Sequence, residues 1–154
     1  MTATVDARNF AAVVKTGKAL AKHPSIRTDS NGDTLINYGT LPVLCNVMII
    51  CADSTLAAIS TDLERKATAF CHAATPQEFA VTIPAYALWD YLRALDIRSK
   101  HEYEITLAYD GNLQSLTISC TTPEGCRTKA TFKGIDAREF PENWPELPDM
   151  AFKP

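Results

Sequence analysis

The stretch that decides the fold is Leu41-Pro-Val-Leu-Cys45-Asn46-Val-Met-Ile-Ile50, followed closely by Ile59-Ser-Thr61-Asp62-Leu63-Glu64. Its first part is an apolar run that predicts a buried β-strand. Asp53-Ser54 predicts a tight turn, after which the chain returns as a second strand. This second strand ends in the polar corner Thr-Asp-Leu-Glu. The pattern indicates a sheet with one face packed against a core.

The same patterns, applied to the whole chain, predict two helices and eight short strands. The helices are expected at about 7–22, between a cap at Asp6 and His23-Pro24, and at about 84–95, with Pro84 in the first turn. The strands are expected at about 2–5, 43–51, 55–60, 65–72, 78–82, 103–109, 113–120 and 126–133. The order strand, helix, three strands occurs twice, which predicts an internally duplicated βαβββ topology and an α+β fold. Segment 25–39 is polar and turn-rich, so we expect a loop or a hairpin insert.

Composition narrows the class of protein. A chain of 154 residues with 46% hydrophobic and 21% charged residues is typical of a soluble globular domain. The sequence has neither a membrane-length apolar run nor a signal peptide, so a cytoplasmic location without membrane contact is expected. The five cysteines lack a C-x-x-C pair and the three histidines are scattered, so neither a metal nor another cofactor is expected. Cys45 and Cys51 are expected on one face of one strand.

Two further motifs point to a known family. Ile83-Pro84-Ala85-x-x-Leu88-Trp89-Asp90-x-x-Arg93-x-Leu95 reads as the start and body of a helix, and Glu139-Phe140-Pro141 follows the last predicted strand. Together with the 41–64 stretch, in this order and with similar gaps, they resemble the N-terminal domain of the bacterial DNA polymerase III beta subunit, the sliding clamp. The resemblance covers roughly residues 5–145. It implies one DNA-clamp domain over 1–145, with two helices packed side by side on one face of curved antiparallel sheets, and a C-terminal tail over 146–154 similar to an interdomain linker.

Basic residues gather on one side of the first predicted helix. At about 100° per residue, its apolar residues form one stripe and its basic residues a separate arc. The stripe comprises Phe10, Val13, Val14, Gly17, Leu20 and Ala21, and the arc comprises Arg8, Lys15, Lys18 and Lys22. On an arbitrary helix such an arc is a solvated face. The resemblance implies instead that it lines the inner wall of a ring and faces DNA phosphates, and flexible lysines suit loose, sequence-independent attachment.

The second helix repeats this pattern more weakly. Tyr86 and Arg93 lie nearly one above the other, opposite an apolar stripe of leucines. Arg93 matches a basic position of the clamp helix. Tyr86, and Tyr38 before the deciding stretch, stand where clamps often carry a cation. Tyrosine can donate a hydrogen bond to phosphate or stack on a base, so the resemblance makes Tyr86 and Arg93 DNA-binding candidates with weaker phosphate binding overall. A structural role for both tyrosines is the alternative.

Other groups that could carry chemistry have plain structural alternatives. Asp62 and Glu64 would share one face of an extended strand, but the resemblance implies that this corner satisfies backbone amides. Cys71 and His72 point to opposite faces of a strand and cannot act as nucleophile and base. Strand 126–133 predicts an exposed row of Arg127, Lys129, Thr131 and Lys133, which serves either solubility or contact with an acidic neighbouring domain. No catalytic residue, and hence no enzyme, is expected.

The resemblance therefore implies a DNA polymerase processivity factor that binds double-stranded DNA without reading its sequence. DNA polymerase and clamp-loader subunits are the further partners it implies, together with self-association through domain edges. A single domain per chain could close a ring only as a hexamer, and we favour monomer or dimer. The alternative is a stand-alone clamp-like protein that binds or blocks a full-length clamp without encircling DNA. The family's peptide-binding cleft lies mainly in a domain that this sequence does not contain.

Overall fold

The computed structural model of the protein describes residues 1–39, 41–95 and 103–141. Within these ranges the chain forms two α-helices, α1 (Ala7–Gly17) and α2 (Ala85–Ala94). The strands are β1 (Thr2–Asp6), β2 (Ser25–Thr28), β3 (Thr34–Asn37), β4 (Asn46–Ala52), β5 (Thr55–Thr61), β6 (Lys66–His72), β7 (Phe79–Pro84), β8 (Glu104–Asp110), β9 (Ser115–Thr121), β10 (Arg127–Lys133) and β11 (Ile135–Asp136). The predicted α+β class is confirmed. The predicted tail, 146–154, lies outside the described residues.

Two antiparallel sheets carry the duplicated topology. The order β1-α1-β4-β5-β6 is followed by β7-α2-β8-β9-β10, which is βαβββ twice, with β2 and β3 inserted after α1. Each half gives its first strand to the other half's sheet, since the sheet orders are β1-β8-β9-β10 and β11-β7-β4-β5-β6. This exchange ties the halves together through long-range backbone pairing, so neither half completes a sheet alone.

One continuous core lies between the helices and the two sheets. Alternate residues of the strands face it, as Ile105, Leu107 and Ile118 show by being fully buried. Phe10 and Val14 of α1 and Leu88 of α2 are also fully buried against it. The apolar stripes predicted for both helices therefore pack inward. The helices contact each other side by side, so their remaining faces form one surface.

Helix α1 ends five residues earlier than predicted. Beyond Gly17 the backbone leaves the helical hydrogen-bond pattern, because the N–H of Leu20 donates to Ser60 Oγ at 3.0 Å and that of Lys22 to Leu44 O at 2.8 Å. Gly17 itself sits directly against β5: a Cβ at this position would lie 2.6 Å from Ala58 Cβ. Glycine thus permits the close approach of α1 to the sheet.

Segment 25–39 contains the hairpin β2–β3, one of the two predicted alternatives. Its strands pair from Ser25↔Asn37 to Thr28↔Thr34, and its turn is closed by Asp29 Oδ1, which accepts the N–H of Asn31 at 2.9 Å. All eight strand residues are exposed. The hairpin therefore projects from the domain.

A second, small apolar cluster covers the opposite face of the β4–β5 sheet. Val43, Met48, Ile59 and Phe140 are buried together there. Phe140 of the Glu-Phe-Pro motif is only 4% exposed, so this motif closes the domain by capping the sheet. Gly134 connects β10 to β11. A Cβ at Gly134 would lie 2.6 Å from Thr82 O.

Three further local predictions were wrong. The strand expected from residue 43 begins at Asn46, because Pro42–Cys45 form a short 3₁₀ helix. Cys45 therefore does not share a strand face with Cys51. Pro84 caps α2 from outside and ends β7, one residue before the first turn. No α-helix within the described ranges is long and apolar enough to cross a membrane.

Candidate nucleic-acid interface

The outward side of α1 carries two of the predicted basic residues. Arg8 and Lys15 are both exposed and lie seven residues apart, which is about two helical turns. They therefore stand one above the other on the side opposite Phe10 and Val14. Arg8 and Lys15 thus share one exposed side of the helix, as predicted.

Lys18 leaves this line and turns toward α2. It is the residue that caps the C-terminus of α1, where its N–H donates to Val14 O at 3.0 Å. Its ammonium Nζ lies 5.3 Å from the ring centroid of Trp89 on α2. A cation over an indole face is attracted by the ring's quadrupole, so this contact joins the end of α1 to α2.

Lys22 lies in the segment after the helix, not on it. The exposed Lys22 is held by its backbone bond to Leu44. The prediction of four basic residues on one helical arc is therefore wrong. Two of them lie on the helix, and the other two lie at its end beside α2.

Tyr86 and Tyr38 come together although they are 48 positions apart. Their hydroxyl oxygens are 3.2 Å apart, and their ring centroids 6.4 Å. The ring centroid of His23 lies 5.9 Å from that of Tyr86. The hydrogen bond with Tyr38, and next to it burial, raise the pKa of Tyr86 to about 12. Tyrosine is protonated at neutral pH in any case, and the raised pKa keeps the Tyr86 hydroxyl protonated further into the alkaline range.

Arg93 is exposed on α2 as predicted, but an acid accompanies it. Its guanidinium Nη2 lies 2.5 Å from Asp90 Oδ1, and the two side chains are 63% and 61% exposed. A solvent-exposed pair of this kind adds little stability. Its main consequence is electrostatic, because the Asp90 carboxylate offsets part of the attraction of Arg93 for a phosphate.

A groove with a volume of about 190 Å³ lies between the end of α1 and α2, and several of the residues described above line it. We call it the aromatic groove. Its lining residues are Lys18, Ala21, Lys22, His23, Ala85, Tyr86, Trp89, Asp90 and Arg93. Sequence reasoning missed Trp89 and His23 as members. Trp89 was visible as part of the helix motif, but nothing in the sequence placed it under Lys18.

The remaining candidates have structural roles or lie elsewhere. Asp62 Oδ1 accepts the N–H groups of Glu64 at 3.0 Å and Arg65 at 2.6 Å. These bonds, led by those from Arg65, lower the pKa of Asp62. The corner thus satisfies backbone amides, as the resemblance implied. Burial raises the pKa of Cys51 to about 12 and of Cys71 to about 11, so both thiols stay protonated.

The predicted basic row of β10 is present on an outer sheet face. Arg127, Lys129, Thr131 and Lys133 are exposed and alternate with half-buried residues. No cluster of three or more His, Cys, Asp and Glu side chains suited to a metal ion occurs among residues 1–39, 41–95 and 103–141.

Comparison with known proteins gives the family. The family model of the DNA polymerase III beta subunit, N-terminal domain, matches residues 33–144. The chain belongs to this family. The beta-subunit resemblance drawn from the deciding stretch and the two later motifs is therefore confirmed, and the match includes all of them.

Solved sliding clamps share the domain's fold. The DNA polymerase sliding clamp of Caulobacter crescentus superposes with a TM-score of 0.72 at 17% identity, over 95% of this chain and 33% of that clamp. A sliding clamp of Bartonella birtlesii bound to griselimycin gives 0.70 at 24% identity, over 96% and 33%. The DNA polymerase III subunit beta of Pseudomonas aeruginosa gives 0.69 at 19% identity, over 95% and 33%. The chain thus spans about a third of each clamp. A comparison with curated proteins gave no match.

Proposed function

We propose that this domain holds double-stranded DNA as part of a sliding clamp and so serves as a processivity factor for DNA polymerase. The observation that carries the proposal is the positive charge on two helices in contact, in a member of the beta-subunit family. Arg8 and Lys15 are exposed on α1, and Lys18 and Arg93 line the groove between the end of α1 and α2. Lys22 and Tyr86 border the same groove. The role requires positive charge without base readout, because base contacts would hold the protein at one sequence.

The proposal also covers the bounds of the domain, its partners and its location. Residues 1–145 are proposed to form one clamp-type unit, with 146–154 as a tail. DNA polymerase and clamp-loader subunits are the partners that the role requires, and the cytoplasm is where it would be performed. The role involves no chemical step, so neither an enzymatic activity nor a cofactor is part of the proposal.

A charge-reversal experiment tests the DNA surface. Lys15, Lys18 and Lys22 are changed together to Glu, and binding of a blunt duplex is measured by fluorescence anisotropy at low salt. The matched control reverses Arg127, Lys129 and Lys133 on β10, which changes net charge equally on an outer sheet face. We expect the first variant to lose duplex binding and the control to retain most of it. Equal losses would show that binding follows net charge and not the helix surface.

Salt dependence gives a second criterion. With four or five cations near phosphates, log affinity should fall with log salt with a slope of roughly −4. The slope should be the same for duplexes of unrelated sequence. A flat response or a preferred sequence would indicate base readout and contradict the clamp proposal.

Assembly separates the proposal from its alternative, an interaction protein that binds or blocks a full-length clamp. Strands β6 and β10 lie at sheet edges, and unpaired edges accept further strands. On β6, Phe70 is 42% exposed, which favours an apolar contact beside this edge in either role. We expect a monomer or dimer by light scattering.

Nicked circular DNA completes this test. A ring retained on the circle and released by linearisation would establish encirclement and overturn our preference for monomer or dimer. Capture of a full-length clamp by the domain, without retention on circular DNA, would establish the alternative.

A further inference from the structure

The aromatic groove contains more than phosphate binding requires. Besides Lys18, Lys22 and Arg93, it gathers the rings of Trp89, Tyr86 and His23. Duplex DNA keeps its bases stacked inside the helix and presents phosphates, so aromatic rings add little to its capture. Rings combined with cations are instead the arrangement by which proteins hold single strands, with bases stacked on the rings and phosphates near the cations.

The rings border a space that could receive a planar group. Trp89 packs against the core and has the Lys18 ammonium over its ring, so a base stacking on Trp89 would displace that ammonium sideways. Trp89, Tyr86 and Lys18 are half-buried, so each is held in place and still reaches the groove. The Tyr86 hydroxyl is fixed by Tyr38 at 3.2 Å, which orients its ring beside that of His23. The groove's 190 Å³ is below the about 300–1,000 Å³ of pockets that enclose drug-sized ligands. The space therefore suits one ring system, not a larger molecule.

The local charges favour an anionic strand modestly. Within the described part of the chain, Lys18 and Lys22 form no salt bridge, whereas Arg93 is paired with Asp90 at 2.5 Å. Tyr86 is neutral, as any tyrosine is at neutral pH, and adds no charge. Electrostatic attraction alone would thus give weak binding, and base stacking would supply the rest of the binding free energy.

We propose that the aromatic groove binds an unpaired base of single-stranded DNA where the strand leaves a duplex held on α1 and α2. This inference rests on the proposed function for the position of the duplex, but base stacking on Trp89 does not need the duplex. The ligand is a nucleotide with a free π-face, and no particular base is specified because every base can stack.

Trp89 provides the signal for the test. The chain has two tryptophans, Trp89 and Trp144, so Trp144→Phe leaves Trp89 as the only indole. In that background, an oligodeoxythymidylate is titrated against an abasic strand of equal length, which has the same phosphates and no bases. We expect the thymidylate to quench Trp89 fluorescence and to bind at least about fivefold more tightly than the abasic strand. Equal affinities, or no quenching by either, would overturn the inference.

A second pair of variants, made in the full chain with both tryptophans, separates stacking from packing. Trp89→Phe keeps an aromatic face, whereas Trp89→Leu keeps apolar volume without one. Binding of a duplex with a single-stranded overhang, followed by anisotropy, should weaken about fivefold or more in the Leu variant and be largely retained in the Phe variant. Tyr91→Phe, on the same helix but bonded to Thr128 on β10, is the control and should bind normally. Equal losses in the Leu and Phe variants would refute base stacking.

Different results would contradict the proposed duplex surface and the proposed base-binding groove. If blunt duplex binds nowhere on the domain but the thymidylate still quenches Trp89, the duplex surface is wrong and the groove stands. If Lys15→Ala weakens blunt and overhang duplexes equally while Trp89→Leu weakens neither, the duplex surface stands and the groove inference fails.

Discussion

Replacement of Gly17 by alanine should destabilise the domain, although it improves the helix. Alanine is favoured over glycine by about 1 kcal/mol in a helix interior, and by no more than that at Gly17, the last residue of α1. At Gly17, however, the new Cβ would lie 2.6 Å from Ala58 Cβ and 2.8 Å from Ala58 C, besides contacting Ala58 O. These atoms belong to the backbone and Cβ of a buried strand, so no flexible side chain can move aside.

The expected size follows from these opposing terms. Overpacking a core typically costs about 1–3 kcal/mol, and a clash with backbone belongs at the upper end. After subtraction of the helix gain, we expect a net loss of about 2 kcal/mol. For a domain of this size, this corresponds to a fall in melting temperature of about 4–8 °C.

Thermal and urea unfolding, followed by circular dichroism, measure this loss. Gly111→Ala is the matched control, because its Cβ would meet only the Tyr109 ring at 3.6 Å, an ordinary contact. The control should unfold within about 1 kcal/mol of the wild type. A Gly17→Ala protein as stable as the wild type, or more stable, would show that propensity dominates and that α1 does not need its close approach to β5.

Three further changes test other parts of the structure. Phe140→Ala should cost about 3 kcal/mol in urea unfolding, because it opens a cavity in the outer apolar cluster, whereas Leu113→Ala, at a residue 68% exposed, should cost almost nothing. Ser60→Ala removes the acceptor of a backbone N–H that follows α1 and should cost about 1–3 kcal/mol. Tyr38→Phe should lower the pKa of Tyr86 from about 12 toward its ordinary value, seen as tyrosinate absorbance in a titration against Tyr86→Phe. Since the folded-state pKa of Tyr86 is raised, its contribution to stability is present below about pH 10 and lost as pH rises toward 12; an unchanged titration in Tyr38→Phe would refute the hydrogen bond as its cause.

Much of the fold was predictable because local pattern and tertiary structure agree. Apolar runs and the alternation of apolar and polar residues predict all strands of the two sheets except the two-residue β11, and most predicted ends fall within two residues of the observed ones. Asp53 and Ser54 both take positive φ, at 51° and 58°, as expected for the tight two-residue turn between β4 and β5. In these places nothing distant competes with the local preference.

The end of α1 was not predictable, because distant groups decide it. The sequence after Gly17 continues with good helix formers, so propensity alone extends the helix to Lys22. The structure instead gives the N–H of Leu20 to Ser60, which is 40 positions away. A hydroxyl on a buried strand thus replaces a helical carbonyl, and the last two predicted cations leave the helical arc.

The aromatic groove was hidden for a related reason. The sequence marks Tyr38 and Tyr86 as departures from expected cations, with a structural role for both as the alternative, but it does not indicate that they touch. Their contact depends on how the segment after the inserted hairpin returns beside α2. The same return brings His23 near Tyr86. Sequence spacing carries no signal for such a meeting, whereas it does carry one for Arg8 and Lys15 on a single helix.

The position of α1 links the domain's stability to both proposed binding surfaces. Lys18 follows Gly17 directly, and its ammonium lies 5.3 Å from the Trp89 ring centroid, so any outward shift of α1 should also disturb this contact. We therefore expect Gly17→Ala, in the Trp144→Phe background, to change the fluorescence of Trp89 at temperatures where the domain is still folded. Gly111→Ala should leave the fluorescence unchanged, because its loop lies outside the groove. A destabilised Gly17→Ala protein with unaltered Trp89 fluorescence would mean that the clash is absorbed within β5, and that the helix surface and the aromatic groove are not coupled through α1.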